Sequence, residues 1–209
     1  VCEGEVKTGD TFKAVVDAKR REAIMRNHSV THIMHKALRE VLGEHVAQKG
    51  SLVNDAVTRF DFHHDKPMTA EEIRQVEDIV NAEILANTPV QCRVMSLADA
   101  RTSGATMLFG EEYGEMVRVL NIGTSVELCG GTHVARTGDI GSFKIISEAG
   151  ISAGVRRVEA VTGLNAVRLM QDNADLLATA AAKFKAPAQE LPEKIDHLGE
   201  TVKRLEKEL

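Results

Sequence analysis

The chain has 209 residues, of which 43% are hydrophobic, 27% are charged and 3% are aromatic, with no tryptophan. This length and composition suit one soluble domain, or a domain with an appendage, whose core is mainly aliphatic. The few aromatic rings disfavour a platform for stacking single-stranded bases, and the net charge of −5 disfavours bulk binding of long nucleic acids while permitting a local basic patch.

The cysteines and the termini bear on the cellular compartment. An odd count of three, at Cys2, Cys92 and Cys129, excludes a complete disulfide framework and suits a reducing compartment. Neither a signal peptide nor a long apolar span is evident, so a cytoplasmic location is predicted. Because the chain starts at Val1 without methionine and stops within a helical pattern, we expect it to be part of a longer protein.

The N-terminal part is predicted to be helical. Residues 17–26 indicate a basic helix, and Asn27 indicates a break or cap before a second helix. That second helix is expected to run to about Leu42 and to end at Gly43.

Strands are predicted from residue 57 onwards. Residues 57–62 alternate polar and apolar side chains, as in a half-buried strand. A capping box, Thr69-Ala70-Glu71-Glu72, then opens a helix expected to reach about Ala86. Short β-rich runs punctuated by glycines predict an antiparallel sheet, and they are residues 90–95, 116–122, 125–128, 142–147 and 155–161.

The C-terminal part is predicted to be helical again. Residues 165–184 form an alanine-rich pattern, and a break near Pro187 precedes a last helix. Its apolar residues are spaced by four and three, as in a coiled coil: Leu191, Ile195, Leu198, Val202, Leu205 and Leu209. With fewer than three heptads, packing on its own domain and self-association both remain open. The overall prediction is an α+β fold, with an antiparallel sheet packed with helices over residues 1–162 and a helical hairpin or coiled-coil start over residues 163–209.

Two pairs of metal-ligating side chains stand out. His28 and His32 are four residues apart, which places both imidazoles on one face of a helix. Cys129 and His133 have the same spacing but enclose Gly130-Gly131, which indicates a tight loop. Imidazole and thiolate are preferred zinc ligands, so the four residues predict a Zn²⁺ site assembled by tertiary structure.

Several alternatives to this site remain open at the level of sequence. Either helical histidine could be purely structural, His35 could replace one of them, and other first-row metals share the same ligands. The Cys-Gly-Gly-Thr-His segment could be an ordinary glycine turn. Ser29 follows His28, so the helix lacks the glutamate base of the His-Glu-x-x-His zinc proteases.

Seven stretches carry a resemblance to a known family. They are Asn27-His28-Ser29-Val30-Thr31-His32, Gln48-Lys49-Gly50-Ser51, Arg59-Phe60-Asp61-Phe62, Leu108-Phe109-Gly110-Glu111, Glu127-Leu128-Cys129-Gly130-Gly131-Thr132-His133, Thr137-Gly138-Asp139-Ile140-Gly141 and Gly154-Val155-Arg156-Arg157-Val158-Glu159-Ala160. In this order, over about residues 14–163, they resemble the editing domain of the alanyl-tRNA synthetases. Threonyl-tRNA synthetases share a related module, but the long run after Cys129 and the helical tail favour the alanyl family.

The resemblance implies a zinc-dependent hydrolase that removes serine or glycine wrongly attached to the alanine tRNA. An apolar activation pocket rejects an added hydroxyl only weakly, so a second, hydrolytic site is needed. The family pattern implies His28, His32, Cys129 and His133 as metal ligands, with His35 in support. It also implies that Thr31 and Gln48 line the pocket, so that Thr31, Gln48 and Cys129 form the catalytic set. No ATP-site signature is found, which places amino-acid activation outside this chain.

The partner implied is the acceptor end of the alanine tRNA. Arg156 and Arg157 are the expected RNA contacts, and because they are consecutive on a strand only one can face the site. The basic run Lys19-Arg20-Arg21 is interpreted as a solvated face.

Three further questions stay open from the sequence. Zinc could be catalytic, substrate-positioning or structural, since four protein ligands usually mark a closed structural site. Cys129 could instead be a nucleophile with His133 as its base. The chain could also be a free-standing deacylase of this family, or a structural zinc domain that only binds tRNA.

Overall fold

A computed structural model describes residues 4–107 and 113–208. In those ranges the helices are α1 (Ala18–Leu42), α2 (Ala70–Ala86), α3 (Leu97–Thr102), α4 (Gly163–Phe184) and α5 (Leu191–Glu208). The strands are β1 (Gln48–Val53), β2 (Thr58–His63), β3 (Gln91–Ser96), β4 (Met116–Ile122), β5 (Ser125–Leu128), β6 (Phe143–Ser152) and β7 (Val155–Thr162). The predicted α+β fold is confirmed. The motif at 108–111, Cys2 and Leu209 lie outside the described residues.

The strands form two antiparallel sheets. One has the order β1-β2-β7-β6, and the other has the order β3-β4-β5. Strand β1 was not predicted, because Gly50 and several polar residues interrupt its pattern and a bulge lies between Gln48 and Gly50. It pairs with β2 and places Gln48, Ser51 and Val53 on the face that carries the buried Phe60.

Helix α1 is continuous, so the predicted break at Asn27 is wrong. Asn27 is buried, its amide donates to the Asn54 carbonyl at 2.8 Å, and its Oδ1 accepts from Thr162 Oγ1 at 2.6 Å. Asparagine disfavours helices by competing for backbone hydrogen bonds, and here tertiary partners occupy the side chain instead. The helix does end at Gly43, whose φ of 117° suits glycine.

The main core lies between α1, α2 and the four-stranded sheet. Its fully buried members include Val30, Met34, Leu38, Phe60 and Val158. Helix α1 is therefore enclosed over its second half, which fixes the directions of the side chains that it carries.

Helix α2 covers the free edge of β6 with polar side chains. Asn81 Oδ1 accepts from the Phe143 backbone N–H at 3.0 Å, and Asn81 Nδ2 donates to the Phe143 carbonyl at 3.0 Å. The buried Glu77 accepts from the Ile145 N–H at 2.9 Å and from Lys144 Nζ at 2.7 Å. These groups satisfy an edge that would otherwise be open to another strand. The capping box of Thr69 and Glu72 opens this helix as predicted.

Helices α4 and α5 pack on each other as a hairpin. Leu191 is buried, whereas Ile195, Leu198, Val202 and Leu205 are 46–54% exposed. The apolar stripe predicted from the sequence is therefore present on α5, mostly facing away from the domain core. Among the described residues no helix combines the length and the apolar character needed to cross a membrane.

Candidate metal centre

Four side chains converge where α1 passes the end of β5. His28 and His32 lie on successive turns of α1, and the loop after β5 brings Cys129 and His133 to the same point. One ligand atom from each residue lies within 4.8 Å of the others. Cys129 Sγ is 3.5 Å from His28 Nε2, and His133 Nε2 is 3.2 Å from His32 Nε2. The fold thus brings together the two pairs that the sequence singled out.

The donor set fits zinc. Bonds of about 2.0–2.3 Å to a common centre place tetrahedral ligands roughly 3.3–3.8 Å apart. Two of the ligand pairs, at 3.2 and 3.5 Å, lie near this range. Three imidazole nitrogens and one sulfur complete a four-ligand shell, so these residues could hold the metal that the resemblance implies.

The loop that carries the cysteine depends on one of its glycines. A Cβ on Gly131 would lie 2.1 Å from His28 Cε1, so any side chain would displace that imidazole. A Cβ on Gly130 would meet nothing within 4 Å. Arg118 holds the loop, because its Nη1 donates to the carbonyls of Gly130 and Gly131 at 2.7 and 3.1 Å.

A second tie anchors the other end of the loop. Ser29 lies beside His28 on α1, and its hydroxyl accepts from the Val134 N–H at 3.0 Å. The backbone next to His133 is thus bound directly to the helix that carries the first two histidines.

Glu127 is the functional residue that the sequence reasoning missed. Its carboxylate accepts from His32 Nδ1 at 2.5 Å and from His35 Nδ1 at 3.1 Å, and it is only 7% exposed. With Nδ1 bound to the carboxylate, His32 turns Nε2 towards His133 and the other ligands. The available signal was an acid on an interior-facing position of a strand, two residues before Cys129. His35, the residue expected to support the site, contacts the cluster through Glu127.

The charges of the metal-free cluster favour a thiolate on Cys129 and a proton on His32. Burial works to raise the pKa of Cys129, but hydrogen bonds with the three surrounding histidines lower it to about 3. Burial likewise opposes charge on His32, but contacts with Cys129 and Glu127 raise its pKa to about 9. Glu127 is kept ionised against burial by His32 and His35, which lower its pKa to about 2. The low pKa favours the thiolate of Cys129, the form that binds metals, whereas His32 must release a proton when a metal binds.

Three of the four side chains, His28, His32 and Cys129, line a cleft of about 530 Å³. Thr31 and Gln48, the two residues expected in the pocket, line the same cleft together with Ser51 and Phe60. Pockets for small molecules measure about 300–1,000 Å³, so a group the size of an aminoacyl ester can enter. The unpredicted strand β1 supplies the wall that carries Gln48.

Thr31 and Gln48 differ in how many of their hydrogen-bonding positions are already used within the protein. Thr31 Oγ1 donates to the Asn27 carbonyl at 2.8 Å and lies 2.6 Å from Thr58 Oγ1. If Thr58 donates there, Thr31 keeps one lone pair for a donor in the cleft. Gln48 Nε2 makes only a long contact of 3.4 Å with Ser51, which leaves most of its carboxamide available.

The two arginines predicted to contact RNA are engaged within the protein. Arg156 forms a bidentate ion pair with Glu148 at 2.5 and 2.7 Å, and Arg157 forms one with Asp61 at 2.7 and 2.8 Å. They point to different partners, as expected for neighbours on a strand. Neither lines the cleft, so the fold does not bring them to the metal cluster.

Comparison with known proteins bears on this arrangement. Residues 117–159 match the family model described as threonyl and alanyl tRNA synthetase second additional domain. That range contains Glu127, Cys129 and His133, and it ends before the last residues of β7.

Similarity extends over the whole chain to proteins named alanine–tRNA ligase. The identity is 61% to that of Delftia acidovorans and 62% to that of Methylobacillus flagellatus, each over 99% of this chain. It is 59% over all 209 residues to that of Polynucleobacter asymbioticus. The chain spans 24% of the length of each of these relatives. The resemblance to alanyl-tRNA synthetase indicated by the motifs is therefore confirmed, by the domain match over residues 117–159 and by the similarity of the whole chain to alanine–tRNA ligases.

Proposed function

We propose that this chain is the proofreading part of an alanine–tRNA ligase and hydrolyses alanine tRNA mischarged with serine or glycine. The observation that carries the proposal is that three of the four convergent candidate zinc ligands, His28, His32 and Cys129, line one open cleft together with Thr31 and Gln48. A purely structural zinc site would not need a cleft of this size beside it.

The cleft supports selection by polarity. Serine differs from alanine by one hydroxyl, and a site that hydrogen-bonds this group rejects the analogue that lacks it. Thr31 offers its remaining lone pair, and the Gln48 carboxamide offers both donors and an acceptor. With alanine bound these groups would stay unpaired, which costs about 1–3 kcal/mol for each buried group.

The protein residues also prepare the site for hydrolysis. Glu127 orients His32, Gly131 leaves space for His28, and Arg118 fixes the loop that carries Cys129. Zinc held by the four ligands would supply Lewis-acid polarisation, and orientation of the ester is the remaining requirement, since the ester is already activated. Cys129 as a nucleophile is disfavoured, because its sulfur lies among three imidazoles as one of four convergent ligands.

The proposal also covers the domain bounds, the compartment, the partner and cofactor, and the oligomeric state. We assign residues 1–162 to the editing domain and residues 163–209 to a helical segment. We place the protein in the cytoplasm with tRNA as its partner and Zn²⁺ as its cofactor, and we assign ATP-dependent aminoacylation to sequence outside this chain. Self-association through the exposed apolar stripe of α5 is proposed as well.

A deacylation assay tests the central claim. Seryl-, glycyl- and alanyl-tRNA are incubated with the chain, with and without a chelator and after zinc is restored. The expected result is release of serine and glycine, sparing of alanine, and loss of activity on chelation. Release of alanine at an equal rate, or full activity in protein shown by metal analysis to lack zinc, would refute the proposal. Zinc binding with no hydrolysis would identify a structural zinc domain instead.

A further inference from the structure

A second cavity, separate from the metal centre, has a basic lining. It measures about 340 Å³ and lies between the first turns of α1 and the start of α4. Its lining contains four basic residues, Lys19, Arg20, Arg26 and Arg168, and two acidic ones, Asp17 and Asp55. The lining therefore carries a net charge of +2 (four minus two), in a chain whose net charge is −5.

Both acids of this cavity already have partners. Asp17 caps α1 by accepting from the Arg20 N–H at 3.0 Å. Asp55 pairs with Arg20 Nε at 3.6 Å. Within the described ranges, Lys19, Arg26 and Arg168 form no ion pair. Three cations without an ion pair thus line one cavity, which also contains one carboxylate without an ion pair, that of the helix cap Asp17.

Packing against the start of α4 fixes the position of Arg26, one of these cations. Gly163 opens α4 with a φ of 55°, and a Cβ there would lie 3.1 Å from Arg26 Nε. The Arg26 side chain therefore crosses the start of α4 so closely that a Cβ at Gly163 would push it aside by a few tenths of an ångström. Such placement distinguishes Arg26 from a cation on a freely solvated helix face.

We propose that this cavity, formed by Lys19, Arg26 and Arg168, binds the sugar–phosphate backbone of RNA. Lys19 and Arg26 are seven residues apart, or about 10 Å along a helix that rises ~1.5 Å per residue. Duplex DNA carries one phosphate per ~3.4 Å of each strand, so a span of about 10 Å covers about three phosphate steps. The two cations therefore suit two separate phosphates of one strand better than a single small anion. Lys19, one residue of the basic run interpreted from the sequence as a solvated face, thus becomes part of a binding site.

The position on α1 indicates which part of the RNA is held. At 3.6 residues per turn, Lys19 and Arg26 point about 180° and 160° away from His28 around the helix. The cavity therefore contacts tRNA away from its aminoacyl end. This assignment rests on the proposed function, because that function makes tRNA the RNA in question.

Salt-dependent binding tests the site. The full chain and the variant K19Q/R26Q/R168Q are titrated with uncharged alanine tRNA by fluorescence anisotropy at 50–200 mM salt. We expect the variant to bind at least about tenfold more weakly at 100 mM salt, with the log–log salt slope reduced by about one per lost phosphate contact. Zinc content and circular dichroism should match those of the wild-type chain. For seryl-tRNA hydrolysis, KM should rise while kcat is unchanged.

A charge-matched control is the variant K183Q/K203Q/R204Q on the exposed helical hairpin, which should bind tRNA like the wild-type chain. Equal losses in both variants, no loss in the first, or no binding by the wild-type chain would each overturn the proposal. So would binding of inorganic tripolyphosphate as tightly as tRNA, because that result would identify a small-anion site. Since uncharged tRNA is the probe, a failure of the deacylase proposal is seen separately, in the hydrolysis assay.

Discussion

The carboxylate of Glu127 decides which nitrogen of His32 faces the other ligands. It holds two imidazoles through Nδ1, and Ser125 Oγ donates to its Oε1 at 3.2 Å. Such a buried acid has no role in packing and would be costly without its partners. The geometry of the site thus depends on the Glu127 carboxylate and on Gly131 as much as on the four candidate ligands.

We predict that Glu127→Gln weakens zinc binding by about 10–100-fold, the usual effect of removing the carboxylate behind a metal-bound histidine. Competition with a chelator of known affinity measures this change. Glu71→Gln, at an exposed position on α2, is the control and should leave the affinity unaltered. Equal affinities for the wild type and the Glu127 variant would contradict the orienting role.

The neighbouring glycines of the loop offer a matched pair. We predict that Gly131→Ala abolishes zinc binding and serine release, because the added methyl group would overlap the His28 ring. Gly130→Ala adds the same methyl group where there is open space and should retain both. Metal analysis of the two purified variants is the measurement, and retention of zinc by the Gly131 variant would show that the loop can move away.

At the scale of elements, some helices and strands can be predicted from local sequence, whereas others depend on tertiary contacts. The helix opened by Thr69 was predictable because its capping box is local. Strand β1 was not, since only its pairing with β2 makes a strand of a bulged, glycine-containing segment. The predicted break at Asn27 is wrong for a related reason, because the hydrogen-bond partners of its side chain belong to the distant residues Asn54 and Thr162.

The substitution Asn27→Ala tests whether Asn27 weakens α1, as helix propensity suggests, or stabilises the protein through its tertiary hydrogen bonds. Helix propensity alone favours alanine over asparagine and predicts a gain in stability. The structure predicts a loss of about 1–3 kcal/mol, because the substitution leaves the buried Thr162 hydroxyl without its acceptor. Urea unfolding gives the sign directly. Asn173→Ala, exposed on α4, should show only the small propensity effect.

At the scale of the whole molecule, the candidate metal ligands lie beside a hydrophobic core whose packing does not depend on them. The core between α1, α2 and the four-stranded sheet contains many fully buried side chains and includes none of the four ligands as a principal member. The sequence could predict that His28, His32, Cys129 and His133 converge, because the spacing and residue types of the two pairs are distinctive. It could not predict the ion pairs that engage Arg156 and Arg157, because the acids lie on other strands.

Removal of zinc should therefore lower stability without unfolding the protein. A ligand present at 100 times its Kd contributes about 2.7 kcal/mol. For a chain of this size that corresponds to a fall in Tm of roughly 5–10 °C on chelation. Thermal unfolding followed by circular dichroism, with and without chelator, measures the shift. Loss of the far-ultraviolet helical signal at 25 °C would instead indicate that the metal is required for folding.

The strand order β1-β2-β7-β6 has a consequence for the protein during its synthesis. His133 is the last of the four ligands to be added, and β7, which joins β2 to β6, starts only at Val155. On the ribosome, the complete ligand set thus emerges before the strand that closes the larger sheet. Metal capture can precede that closure, so a bound ion would hold α1 to the loop after β5 while the sheet is still unfinished.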